Sequence, residues 1–160
     1  MRSFQFSVFS FKWAVVVLTL FFAVSCTDYP VDEDGLLITK REECYVSSFS
    51  LSGVDRRSAT VTVPAVIEED TEDVDDNGKP RPRIEAEVYF GTDVKNLYPV
   101  FNLVTDAKLE PKITGLTDFT NSVISASGTL PENPLQYTVI SGNRKVRKTY
   151  TVYITVQRPR

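Results

Sequence analysis

The chain has 160 residues, a formal net charge of −3 and no histidine. Without histidine it has no His-based acid–base catalysis, no Ser–His or Cys–His nucleophile and no His-ligated metal site. With residues 1–25 read as an export signal that contains Arg2 and Lys12, the remainder holds 16 basic and 21 acidic residues, a balance that argues against non-specific nucleic-acid binding.

Met1 to Lys12 carry two positive charges and no acid, and Trp13 to Val24 form an apolar run broken only by Thr19. A bilayer span needs roughly 20 apolar residues, so this run suits the apolar region of a secretory signal rather than a membrane helix. The next residues, Ala23-Val24-Ser25-Cys26, resemble the lipobox of bacterial lipoproteins, with Ala23 where Leu is commoner. The resemblance implies cleavage before Cys26, a diacylglycerol on its thiol and acylation of its new amine. The expected product is a lipoprotein held to the cell outer membrane by its N-terminal lipid and displayed at the surface, with a periplasmic face as the alternative. An ordinary signal peptide with a chance cysteine is the competing account. If Cys26 carries lipid, Cys44 has no partner in the chain and is expected to be a small buried hydrophobe. A Cys26–Cys44 disulfide is the other assignment.

Residues 26–43 contain Pro30, Gly35 and the acids Asp28, Asp32, Glu33, Asp34, Glu42 and Glu43. This composition predicts a solvated tether, with Leu36-Leu37-Ile38 as one short docking strand. Acids just after a lipidated cysteine resemble the surface-export signal of Bacteroidota lipoproteins. From Cys44 onward the apolar period is two. Tyr45, Phe49 and Leu51 alternate with serines, and Ala59, Val61 and Val63 alternate with threonines in a strand continuing towards Ile67. Ile84, Ala86, Val88 and Phe90 form a third strand and Val100 to Val104 a fourth; Lys108 to Ile113 form a fifth. Tyr137 to Ile140 lead into the turn Ser141-Gly142-Asn143. The last strand, from Thr149 to Val156, has a β-branched or aromatic residue at every position. About seven short strands without a helical stripe predict an all-β sandwich over residues 44–157. The expected core is Phe49, Leu51, Val61, Val63, Val88, Phe101, Val139, Val152, Ile154 and Val156.

The segment from Val88 to Phe101, with Gly91-Thr92-Asp93, Leu97, Pro99 and Phe101, resembles immunoglobulin-like domains of Bacteroides lipoproteins. These are grouped as a domain of unknown function with cadherin-like and PKD-like relatives. Val46 to Leu51, Asp118-Phe119-Thr120, Tyr137 to Val139 and Gly142 to Ile154 follow the same pattern in order. The resemblance implies a single immunoglobulin-like sandwich and brings no catalytic residue. Phe90 and the stretch from Asn121 to Pro134 depart from the pattern, which bears on loop geometry.

Residues 68–78 hold seven acids and no base, and Asp73, Asp75, Asn77 and Gly78 match the first half of a calcium loop. Ile84 occupies the place of the closing Glu, so the expected reading is a solvated hairpin connection without a cofactor, with calcium on Asp73, Asp75 and Asn77 as the alternative. Arg144, Lys145, Arg147 and Lys148 are expected to form a charged hairpin tip that discourages edge pairing. Tyr89 and Tyr153 are placed opposite the predicted core, where, with Tyr98 and Tyr137, they suggest an aromatic platform for sugar rings. No enzyme is expected, since no His-dependent mechanism exists and a small sandwich leaves little room for a deep pocket. Two function classes follow: a binding module for glycan or protein at the cell envelope, and a structural protein that docks a partner lipoprotein. Neither involves nucleic acid.

Overall fold

The computed structural model describes residues 29–68 and 81–159. The chain divides into two compact units between Leu36 and Leu37. In the first, the Asp32 carboxylate accepts hydrogen bonds from the amides of Asp34 and Leu36 at 3.1 and 2.9 Å, and Gly35 takes a positive φ to close that turn.

The second unit is an all-β sandwich. Its strands, in chain order, are β1 (Val46–Ser52), β2 (Ala65–Ile67), β3 (Arg83–Val88), β4 (Tyr98–Leu103), β5 (Lys108–Glu110), β6 (Gln136–Ile140) and β7 (Arg147–Val156). One sheet is the antiparallel pair β1–β4, and the other runs β2-β3-β7-β6-β5. Every pairing is antiparallel except β3–β7. Phe49 and Leu51 face Ile84, Ala86, Val88, Val139, Val152 and Ile154 in one core. Phe49 meets Phe101 edge-on at 4.7 Å and Phe101 meets Tyr137 at 4.8 Å, a chain of rings that crosses from one sheet to the other. Such aromatic contacts add about 0.5–1.5 kcal/mol each beyond area burial.

β7 is the middle strand, and from Tyr150 to Ile154 it is buried on both faces. The Tyr150 hydroxyl ties the two sheets at one seam. It accepts from the Val46 amide of β1 at 3.1 Å and donates to the Glu68 carboxylate, just after β2, at 2.7 Å. The second oxygen of Glu68 pairs with the ammonium of Lys148.

Four expectations are corrected. Val63 is 85% exposed rather than core, and Val61 is only half-buried. Thr60 bridges Val88 and Ala65 pairs with Glu85, so the four residues 61–64 lie opposite only Ala86 and Glu87. The surplus bulges outward at Val63, beside Pro64, which has no N–H for the ladder. The fifth strand stops at Glu110 because Pro111 likewise cannot donate. In β1 the inward positions are Val46, Phe49 and Leu51, because a bulge between Val46 and Ser48 shifts the phase of the alternation and leaves Tyr45 exposed.

The tether expectation also changes, because the folded unit begins at Leu37 rather than Cys44. Thr39 donates its amide to the Gly142 carbonyl and Asn143 donates to that of Arg41, both near 2.9 Å. Arg41 pairs with Asp106 at 3.3 Å, and Arg144 donates to the carbonyls of Asp106, Ser141 and Leu37. Backbone bonds therefore override an acidic composition that reads as solvated.

Two predictions follow from these contacts. Burial, with the Glu68 carboxylate beside it, pushes the Tyr150 pKa up; burial also raises Cys44 and Tyr137 above their ordinary 9.0 and 10.0. A group raised by folding favours the native state while protonated, so stability should hold below about pH 9. Above that it should fall by about 1.4 kcal/mol per pH unit for each group ionised in the unfolded chain. Tyr150→Phe should cost about 1–3 kcal/mol at neutral pH, by stripping the buried Val46 amide of its acceptor, and should flatten the alkaline fall by one group's slope. Urea titrations across pH check both. At Gly142 an added Cβ would lie 2.3 Å from Thr39 Oγ1. Gly142→Ala should therefore cost about 1–3 kcal/mol and expose residues 37–43 to protease, and Thr39→Ala should recover part of the loss in a double-mutant cycle.

Candidate functional site

At one end of the sandwich two loops enclose an open groove of about 320 Å³. One wall is the turn after β1, with Val54, Asp55 and Arg57; the other is the β3–β4 loop, with Tyr89, Thr92, Asp93 and Asn96. Buried Ala59 and Leu97 also line it.

Each wall is locally self-supporting. Gly53 donates its amide to the Arg57 carbonyl at 2.9 Å and Arg56 donates to Gly53 at 3.0 Å, with Arg56 in the left-handed region at φ 62°. The Asp55 carboxylate accepts from the Arg57 amide at 3.1 Å and faces its guanidinium at 3.6 Å. On the other wall, β3 ends at Val88, and the Tyr89 amide donates to the Ala59 carbonyl at 3.1 Å. The turn from Tyr89 to Thr92 closes with Gly91 at φ 81°, where glycine avoids the Cβ penalty of a left-handed residue. The Asp93 carboxylate accepts from the Asn96 side-chain amide at 2.7 Å and from the Lys95 backbone at 3.1 Å. Those bonds hold its pKa below the usual carboxylate range, the Asn96 contact contributing most. Reciprocal bonds between Leu97 and Thr117, and one from Phe119 to Val94, pin the base of the loop.

The groove presents a tyrosine ring and a valine, 47% and 64% exposed, beside fixed carboxylate and amide groups. An aromatic face flanked by hydrogen-bonding groups suits the apolar face and hydroxyl rim of a sugar ring.

The structure does not assemble the expected tyrosine platform. Tyr89 is exposed, but Tyr153 is 6% exposed: it sits on the middle strand β7, opposite Glu85 of β3, where neighbours flank both sides. Tyr137 is a core residue, and the guanidinium of Arg56 covers the Tyr98 ring at 3.8 Å from its centre. The sequence reading missed Asp93 and Asn96 as groove residues, although the Gly91-Thr92-Asp93 run marks a turn.

Three of the four cations of the 144–148 tip are internally committed. Arg144 binds three carbonyls, Arg147 pairs with Glu110 at 3.0 Å and Lys148 pairs with Glu68. Cys44 is a free, buried thiol donating to the Val139 carbonyl at 3.0 Å, and burial raises its pKa. Such a thiol is poorly suited to nucleophilic chemistry. Asp73, Asp75, Asn77 and Cys26 lie outside the described residues. Among the described residues no three His, Cys, Asp or Glu side chains converge as a metal site, and no helix is long and apolar enough to cross a membrane.

No family model matches the chain, and no curated protein matches it. Among solved structures it is similar to a "putative glycoside hydrolase" of Bacteroides thetaiotaomicron, at 24% identity and a TM-score of 0.50 over 74% of this chain. The likeness covers 26% of that protein, so the chain matches about a quarter of its neighbour and shares its fold there. A "putative secreted protein" of Bacteroides fragilis aligns at 15% identity and a TM-score of 0.34, over 62% of this chain and 96% of that one.

Proposed function

We propose that this protein is a non-catalytic, lipid-anchored binding module of the bacterial cell envelope that holds glycan in the end groove. The observation supporting this is the pairing of the exposed Tyr89 ring with the fixed Asp93–Asn96 group across from the Gly53–Arg57 turn. A stacked ring supplies affinity without demanding one orientation, and the polar pair selects hydroxyl geometry. Both walls are closed by their own backbone bonds, so binding orders little additional chain and loses little entropy. Catalysis is not part of the reading, because the groove is open and each of its two carboxylates is held in place by neighbouring donors.

Two experiments test the reading. On a glycan array the full chain should bind a defined subset of sugars, and Tyr89→Ala should weaken that binding about tenfold or more while leaving the melting temperature unchanged. Binding that survives Tyr89→Ala would remove the groove from the reading, and a silent array with a stable protein partner in pull-downs would favour a docking role. The anchor rests on the lipobox-like Ala23 to Cys26. Cys26→Ser should abolish palmitate labelling and release the protein from membranes, and equal labelling of the variant would contradict the anchor.

A further inference from the structure

We infer that the groove selects uncharged glycans and rejects uronate- or sulfate-bearing ones, an inference that rests on the glycan reading above. The charges around it set the sign. Asp55 and Asp93 line the groove beside one cation, Arg57, whose guanidinium faces Asp55 at 3.6 Å. Arg56, the other cation of that turn, does not line the groove and lies over the Tyr98 ring at 3.8 Å. Two carboxylates therefore line the groove against one cation, and that cation already has an acidic partner inside the protein. An anionic sugar would add charge to a site already negative and would have to compete with Asp55 for Arg57.

The hydrogen-bonding inventory points the same way. One of the two Asn96 amide hydrogens is committed to Asp93. What Asp93 can still offer a ligand is acceptor capacity, since an ionised carboxylate has about four lone-pair sites and two are used here. An acceptor-rich wall needs a ligand that donates. Sugar hydroxyls do so, whereas an ionised carboxylate or sulfate placed against that wall would meet acceptors only. A cationic ligand would also donate, but the groove also presents the Tyr89 ring and Val54, which suit a stack of ring C–H groups. A neutral pyranose satisfies both kinds of surface at once.

The test uses the full chain in isothermal titrations against glucomannan and xyloglucan as neutral probes and polygalacturonate and heparin as anionic ones, at low and high salt. The inference expects binding to at least one neutral probe, changed less than about twofold by salt, with none to the anionic pair. Asp93→Asn should weaken that binding about tenfold, and Lys95→Gln, an exposed change that leaves the loop's backbone bonds intact, should alter it less than about twofold. Tighter binding to polygalacturonate or heparin, lost in high salt, weakened by Lys95→Gln and strengthened by Asp93→Asn, would overturn the neutral class and leave the glycan reading standing. Silence on all four probes would overturn the inference, and the glycan reading would fall with it if the broad array were silent too.

Discussion

Everything in this sandwich hangs on β7 being flanked on both sides. Parallel pairing with β3 and antiparallel pairing with β6 bury Tyr150, Thr151, Val152, Tyr153 and Ile154 together. Beyond the end of β6 the connecting segment takes over: Val123 bridges Ile154, and Ile124 donates to the Ile154 carbonyl at 2.8 Å. A strand buried on both faces satisfies its polar backbone only through its neighbours, so losing either one would leave amides without partners in an apolar setting. The second sheet has only β1 and β4, and it is held by the core contacts of Phe49 and Leu51 and by the Tyr150 hydroxyl.

That constraint also places the groove. Pairing of β3 with β7 ends at Val88 opposite Val156, and Gln157 closes the ladder on the Val88 carbonyl. The next residue, Tyr89, has no place in the sheet and emerges at the end of the sandwich, held by the Ala59 carbonyl. Gly91 then turns the chain, Asp93 caps the following turn, and Leu97 returns it to the core. Asp118 does a similar job in the neighbouring loop, accepting from the amide and hydroxyl of Thr120 while Phe119 is fully buried. The short motifs of this sequence are thus turn-building devices, and the groove-lining groups are by-products of the turns they build.

The strand pattern was largely legible because β3, β6 and β7 combine two-residue alternation with β-branched and aromatic residues, and no register shift interrupts their pairing with one another. Where the reading misplaced Val63 and Tyr45, surplus residues had interrupted the pairing. Val63 belongs to a bulge set by pairing partners more than twenty residues away, and Val46 lies inside because of another bulge. Periodicity carries no information on either. Tyr153 looked exposed because alternation assigns it to the outer face, but alternation does not say that β7 is the middle strand. The docking of residues 37–43 rests on backbone bonds to Gly142 and Asn143, which composition cannot register. Of the groove, Tyr89 was legible as an outward aromatic, whereas its meeting with Asp55 and Arg57 depends on the topology.

The central claim is that the ligand site lies between the Gly53–Arg57 turn and the Tyr89–Leu97 loop. A ¹H–¹⁵N NMR titration of the chain with a soluble oligosaccharide tests it most directly. The account predicts saturable shifts confined to residues 53–59 and 89–97, with the amides around Glu68, Lys148 and Tyr150 unmoved. Shifts clustered on that seam, or on the 144–148 tip with the groove silent, would contradict it.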